Sequence, residues 1–231
     1  MKVSACIVTR GDVDLAPVLD SLPDSWERVI YDNSGSVSVM TPGTGAVHHQ
    51  EGGGYEVVDG PGWRYYENVP DLAVYGRYEA AFEYATHNLV YVQDDDCVLD
   101  RSSFGMLMQA WRSHERVKQD ALVANMPEKF RHDFYEHHCL VGFGAMFDRR
   151  RAQEAFALWA GSGLTFSNAG EEMGWFTRVC DVVFTTLTPR VLVDAPYEDL
   201  VWANAANRMW KQRTHVGERK RALDLALRIA A

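Results

Sequence analysis

The segment Leu89-Val90-Tyr91-Val92-Gln93-Asp94-Asp95-Asp96-Cys97-Val98-Leu99 constrains this chain more than any other. Its first half is short, apolar, β-rich and free of Gly and Pro, and reads as a buried strand. It ends in three consecutive carboxylates. Ionised together these repel, and none is buried cheaply without a partner. In extended backbone Asp94 and Asp96 point one way and Asp95 the other, so two carboxylates can converge at the carboxyl end of a strand. That end is where open α/β sheets bind ligands. A hard divalent cation carrying a diphosphate suits such a pair, because Mg²⁺ takes one or two protein carboxylates and fills its remaining positions with phosphate oxygens and water. The plainer reading is a solvated acidic turn, since Asp100-Arg101-Ser102-Ser103 signals a helix start just beyond.

The flanking segments supply an α/β frame. Val3 to Val8 reads as a strand, Val13 to Leu22 as a helix stopped by Pro23, and Trp26 to Tyr31 as a second strand ending in the turn cluster Asp32-Asn33-Ser34-Gly35-Ser36. This βαβ order predicts a parallel pair with a right-handed crossover. Residues 37–62 are Gly-rich and read as loops with at most a short strand, with a brief strand at Tyr65-Tyr66. Asp71 to Ala85 has helical spacing and leads into the aspartate strand. Helices follow at Phe104 to Arg116, Arg149 to Ala160 and Met173 to Cys180. Strands are expected at Ala121 to Met126, Leu140 to Phe147, Asp181 to Leu187 and Arg190 to Val193. The tail from about Glu198 reads as two helical pieces broken around Thr214-His215-Val216-Gly217.

The 231 residues are ample for a packed core, and the formal net charge of −9 makes long electrostatic tracking of a nucleic-acid backbone unlikely to be its role. A modified nucleobase as acceptor stays open. Cys6, Cys97, Cys139 and Cys180 form no CxxC pair, which argues against a zinc site and fits a reducing, cytoplasmic setting. The first residues run straight into a strand, leaving no room for a signal peptide, and no apolar run approaches the roughly 20 residues of a membrane span.

Several segments, taken in order, resemble those of GT-A-fold glycosyltransferases, close to the family-2-like group. They are Val3-Ser4-Ala5-Cys6-Ile7-Val8-Thr9-Arg10, Val29-Ile30-Tyr31-Asp32-Asn33-Ser34, Gly76-Arg77-Tyr78-Glu79-Ala80-Ala81, Asp94-Asp95-Asp96 (the DxD position), Gly142-Phe143-Gly144-Ala145-Met146-Phe147 and Gly170-Glu171-Glu172-Met173-Gly174-Trp175. The resemblance covers roughly residues 1–185. It implies an α/β fold with a mostly parallel, Rossmann-like central sheet flanked by helices, and a helical C-terminal tail. It also implies one domain over 1–231: a nucleotide-sugar-binding half (1–100), an acceptor-binding half (101–197), and a tail (198–231) closing on the donor site. The implied activity is transfer of a sugar from a UDP- or GDP-sugar to a hydroxyl acceptor with Mn²⁺ or Mg²⁺, by inversion if an acidic residue serves as base.

The resemblance puts Asp96 on the metal, Asp94 near the ribose or sugar, and Asp95 in a supporting role, the most tolerant of the three. Asp32 would contact the nucleobase or ribose, or else only close an Asx turn. Thr9 and Arg10 end the first strand beside it, with Arg10 on phosphate or on a neighbouring carboxylate. Arg77 would fork to phosphate, hold Asp94, or pair on the surface with Glu79 or Glu83. Glu171 and Glu172 open a helix, where carboxylates favour the dipole. In inverting relatives an acidic residue here deprotonates the acceptor. His215 would be a metal ligand or phosphate contact. The tail cations Lys211, Arg213, Arg219, Lys220 and Arg221 would meet diphosphate or an anionic acceptor, or merely form a solvated face. His137 and His138 are acceptor-pocket candidates. Two other classes remain. A sugar-phosphate nucleotidyltransferase would need a Gly-rich basic loop after the first strand, where only Thr9-Arg10-Gly11-Asp12 stands. A non-catalytic divalent-metal or nucleotide-binding module would bind metal without nucleotide.

Overall fold

The computed structural model describes residues 1–10, 13–33, 46–49, 56–60, 63–67, 71–113, 121–132, 135–164, 169–200 and 214–231, with the side chains of 46–67 and 169–173 left aside. In chain order the elements begin with β1 (Ser4–Thr9), α1 (Ala16–Ser21), β2 (Glu27–Asp32), β3 (Ala46–His49), β4 (Glu56–Gly60) and β5 (Trp63–Glu67). A 3₁₀ turn (Ala73–Tyr75) leads into α2 (Gly76–Glu79), which continues as a π-helical turn (Ala80–Tyr84). Then come β6 (Leu89–Asp94), β7 (Cys97–Leu99), α3 (Arg101–Ser113), β8 (Leu122–Asn125), β9 (Ala145–Asp148), α4 (Arg149–Gly161), α5 (Ala169–Leu187), β10 (Arg190–Val193), β11 (Tyr197–Asp199) and α6 (His215–Ala230).

Among the described residues nine strands form one sheet in the order β10-β8-β9-β6-β1-β2-β5-β4-β3, and β11 pairs separately with β7. All strands of the large sheet run one way except β4 and β9, so the sheet is mostly parallel as expected. The apolar strands alternate their side chains between two cores. Cys6 and Val8 of β1 face a layer of α2, α4 and α5 side chains that includes Tyr78, Ala152 and Phe184. Ala5 and Ile7 face α1 and α3 through Val18, Phe104, Leu107 and Trp111. A third cluster joins α4, α5 and α6 through Trp159, Val179, Val183, Ala222 and Ala226. All four cysteines are buried free thiols. No helix among the described residues is long and apolar enough to cross a membrane.

Three expectations need correction. Asp181 to Leu187 is not a strand but the last two turns of α5, which runs to Leu187. Its β-branched Val182, Val183, Thr185 and Thr186 suggested β structure, but the segment is packed on several sides at once, and tertiary burial overrides local preference. The strand expected at Leu140 to Phe147 begins only at Ala145, because Gly142 and Phe143 form a turn and Gly144 adopts φ +100°. The Gly-rich region, expected as loops with at most one short strand, holds two, β3 and β4, which form the antiparallel edge of the sheet. The first helical piece expected in the tail lies outside the described residues, apart from the segment that forms β11.

Candidate active site

The site is assembled at the carboxyl edge of the parallel strands. The register pairs Thr9 with Asp32 and Val8 with Asp94, so β1, β2 and β6 end level with one another. This is the edge at which open α/β sheets bind ligands. A cavity of about 620 Å³ opens there, lined among others by Thr9, Arg10, Arg77, Asp94, Asp95, Asp96, Asp181, Asp199, His215 and Arg219. Eight of the residues singled out from sequence thus share one cavity wall: Thr9, Arg10, Arg77, Asp94, Asp95, Asp96, His215 and Arg219. Asp32 is fully buried at the end of β2, and its neighbour Asn33 lines the cavity instead. Glu171 and Glu172 lie in the first turns of α5, but their side chains fall outside the described residues.

Arg77 is the centre of the arrangement. Its side chain is fully buried, not paired on the surface with Glu79 or Glu83. Nη1 lies 2.9 Å from Asp94 Oδ1, Nη2 donates to Asp181 Oδ2 at 3.3 Å, and Nε donates to the Val74 carbonyl at 3.0 Å. Tyr78 Oη donates to the other Asp181 oxygen at 2.7 Å. Burial opposes the guanidinium charge, but Asp181 and Asp94 outweigh it and hold its pKa above the ordinary value. A cation in this position needs two carboxylates because one unpaired charge so deep would be costly. Gly76 lets the helix approach this closely: a Cβ there would come within 2.7 Å of the Tyr31 ring.

The three aspartates divide by environment. Asp94 is about one-third exposed, its amide donates to the Gly142 carbonyl at 3.0 Å, and a Cβ on Gly142 would overlap its carboxylate. Burial raises its pKa, Arg77 pulls it back, and Asp181 raises it again. Asp95 is buried and accepts from Thr9 Oγ1 at 2.7 Å. Burial pushes its carboxyl up to about 6, against the stabilising hydroxyl of Thr9 and the amide of Arg10. It is the most embedded of the three, which reverses the expectation that it would best tolerate change. The reason is local: β6 turns at Asp95-Asp96, and the turn directs Asp95 inward against β1. Asp96 is half-buried on the cavity wall, and its carbonyl accepts from the Leu200 amide at 2.7 Å.

β11 acts as a clasp beside Asp96. It pairs antiparallel with β7, setting Asp199 opposite Cys97. Asn125 fixes the approach, donating from Nδ2 to the Ala195 carbonyl at 3.2 Å and accepting from the Ala195 amide at 2.9 Å. Tyr197 thereby joins Phe143 (4.7 Å between ring centroids), which stacks on Phe130 at 5.3 Å. Lys129 Nζ lies over both Phe130 and Tyr197, making an aromatic wall with one cation. On the opposite side Arg10 is exposed and pairs with Asp71 at 2.8 Å, the carboxylate alternative raised by the sequence. Asn33 bridges to the segment before α2, accepting from Leu72 and donating to Ala73, whose φ of +48° is left-handed for a residue with a Cβ.

His215 opens α6 and lines the cavity. Burial and the charge of Arg219 lower its pKa, and its Nδ1 is buried with no hydrogen-bond partner among the described residues. A neutral imidazole with an unclaimed nitrogen is the form that ligates a metal. His215 lines the same cavity as the carboxylate-bearing Asp96, a donor set that suits a divalent cation such as Mn²⁺ or Mg²⁺. No group of three or more His, Cys, Asp or Glu side chains able to cage an ion is present among the described residues. Substrate oxygens and water would supply the other ligands, as Mg²⁺ prefers. His138 is fully buried against Tyr135, whereas His137 is exposed.

Asp181, Asp199 and Asn33 were not singled out for this site by sequence. Asp181 was read as part of a strand, and Asp199 is brought in by a pairing between distant segments. Arg219 was one of five tail cations with nothing to distinguish it.

No protein-family model matches the chain, and no curated protein matches it. Solved structures do. The mannosyltransferase PcManGT from Pyrobaculum calidifontis, in complex with GDP-Man and Mn²⁺, aligns over 99% of this chain and 63% of its own at TM-score 0.53 and 14% identity. S. aureus TarS 1–349 in complex with UDP-GlcNAc aligns over 99% of this chain and 66% of its own at TM-score 0.53 and 10% identity. The chain thus spans somewhat less than two thirds of the length of either structure. The expected fold is the observed one, a GT-A-like α/β fold with a mostly parallel central sheet.

Proposed function

We propose that this chain is a metal-dependent glycosyltransferase that moves a sugar from a nucleoside-diphosphate sugar to a hydroxyl acceptor. The observation that carries the reading is Asp94–Asp96 at the carboxyl edge of a GT-A-like sheet, with Asp94 held by the buried Arg77 and sharing one cavity with Asp96 and His215. The complexes of the two similar structures with GDP-Man and UDP-GlcNAc support a GDP- or UDP-sugar donor.

In this reading Asp96 and His215 hold Mn²⁺ or Mg²⁺, which when bound neutralises charge on the departing diphosphate. Thr9, Arg10 and Asn33 serve the nucleotide end, Thr9 also through its hydrogen bond to Asp95, while the buried Asp32 stands behind Asn33. Arg77 acts through Asp94: its charge is shared between two carboxylates, which fixes Asp94 for a donor hydroxyl. The aromatic wall of Phe130, Phe143 and Tyr197 takes the acceptor, whose ring faces can stack on it. For an inverting transfer, Glu171 or Glu172 removes the acceptor proton, which requires hydrogen-bond reach and a pKa tuned by partial burial. Residues 1–100 form the donor half, 101–197 the acceptor half and 198–231 the closing tail.

A screen of UDP- and GDP-sugars for nucleoside-diphosphate release with Mn²⁺ tests this. At least one sugar should be turned over, and Asp96→Ala should abolish turnover. Absence of release from every sugar, alongside pyrophosphate release from a nucleoside triphosphate, would replace the reading with nucleotidyl transfer.

A further inference from the structure

The cavity contains a buried cation that the donor site does not explain. Arg219 projects from the second turn of α6, one turn beyond His215 and on the same face. It is 7% exposed, it lines the cavity, and neither its Nε nor its Nη2 meets a hydrogen-bond partner among the described residues. Its neighbours are already committed. Glu218, adjacent on the helix, pairs with Arg178 at 3.0 Å. Asp181 is taken by Arg77 and Tyr78. Arg219 stacks on Tyr135, with its Cζ 6.0 Å from the centre of the ring.

Burial of an unpaired guanidinium is costly, and groups held at such cost cluster where a ligand completes them. The charges around it sharpen the point. Arg190 donates to the carbonyls of Glu136 and His137, so two arginines border the 135–138 segment. The segment on which Arg219 stacks is thus bordered by cations in a protein whose formal net charge is −9. Sheet order says which substrate meets it. The proposed donor half is β6-β1-β2, whereas residues 135–138 connect β8 to β9 on the other side of β6. Arg219 leans on that connection through the Tyr135 ring.

We propose that Arg219 forms a phosphate-binding subsite for the acceptor, separate from the diphosphate of the donor. The guanidinium fork offers Nε and Nη2 to two phosphate oxygens, with the Tyr135 ring covering its face. The acceptor is then a hydroxyl compound carrying a phosphate group. Assignment to the acceptor rests on the glycosyltransferase reading; the anion site itself does not.

The test is titration of inorganic phosphate into the full chain, first alone and then saturated with Mg²⁺ and GDP or UDP. Phosphate should bind in both cases with similar affinity, and Arg219→Gln should weaken it by about tenfold or more while leaving nucleotide affinity unchanged. Without ligand, Arg219→Gln should melt no lower than the wild type, because it removes an uncompensated buried charge. Exclusion of phosphate by bound nucleotide would overturn the proposal by giving Arg219 to the donor. So would phosphate affinity indifferent to Arg219→Gln, or a lowered melting temperature in that variant. Arg219→Lys is the second variant: weakened phosphate binding is expected, because a point charge cannot reproduce the fork, and unchanged affinity overturns the proposal. Failure of any nucleoside diphosphate to bind is read in the nucleotide arm and strikes the proposed function, while the phosphate arm still decides the anion site.

Discussion

Arg77 Nη1 stands 2.9 Å from Asp94 Oδ1, with the arginine wholly buried and the carboxylate at the cavity wall. The pair ties α2 to the end of β6, and Asp181 ties the same guanidinium to α5. Removing one member of a buried ion pair leaves the others uncompensated and costs about 3–5 kcal/mol. Arg77→Met should therefore lower stability by about that amount in urea denaturation. Arg77→Lys should restore little, because a point charge cannot serve Asp94, Asp181 and the Val74 carbonyl at once. Asp181→Asn tests the positioning role: it should impair nucleotide-sugar turnover without touching substrate.

Asp95 and Asp96 should separate stability from ligand binding. Asp95→Ala removes the acceptor for the buried Thr9 hydroxyl and should cost about 1–3 kcal/mol. Asp96→Asn, at a half-buried wall position, should destabilise less than Asp95→Ala while abolishing metal-dependent nucleotide binding. Thermal melts and calorimetric titrations on the two variants check this; equal destabilisation by both would contradict the division.

Gly142 is required by its neighbour rather than by its own backbone. A Cβ there would occupy the place of the Asp94 carboxylate. Gly142→Ala should displace Asp94, cost about 1–3 kcal/mol in stability, and reduce turnover more than it reduces nucleotide affinity.

His138 gives the fold a pH dependence. Burial, then the charges of Arg219, Arg190 and His137, push its pKa down to about 3. Unfolded, it titrates near 6.5, so between those values the unfolded chain binds the extra proton. The stability this neutral His contributes is complete above about pH 6.5 and is lost as pH falls. Its share of the loss should reach about 2 kcal/mol by pH 5. His138→Gln should flatten that part of the pH profile, measured as the difference in slope between variant and wild type.

Much of the frame was legible because it is local. The runs at β1, β2 and β6 are apolar, short and β-rich, and the strand-helix-strand order prescribed their parallel pairing, which brings Thr9, Asp32 and Asp94 level. The aspartate run announced the site for the same reason: three carboxylates after an apolar strand demand partners. What escaped is what depends on long-range packing. Asp181 lies 104 residues from Arg77, and its segment resembles a strand in composition although helix packing decides its state. Asp199 enters through a pairing of β11 with β7 that no local pattern marks. Arg219, Lys220 and Arg221 are equivalent in sequence, and only burial singles out the first.

The central claim is that Asp94–Asp96 and His215 receive a metal-bound nucleoside diphosphate. Isothermal titration of UDP and GDP into the chain, with and without Mn²⁺, tests it most directly. At least one of them should bind, more tightly with Mn²⁺, and Asp96→Ala should lose that strengthening. Absence of binding by both nucleotides, or identical Mn²⁺-dependent binding in Asp96→Ala, would contradict it.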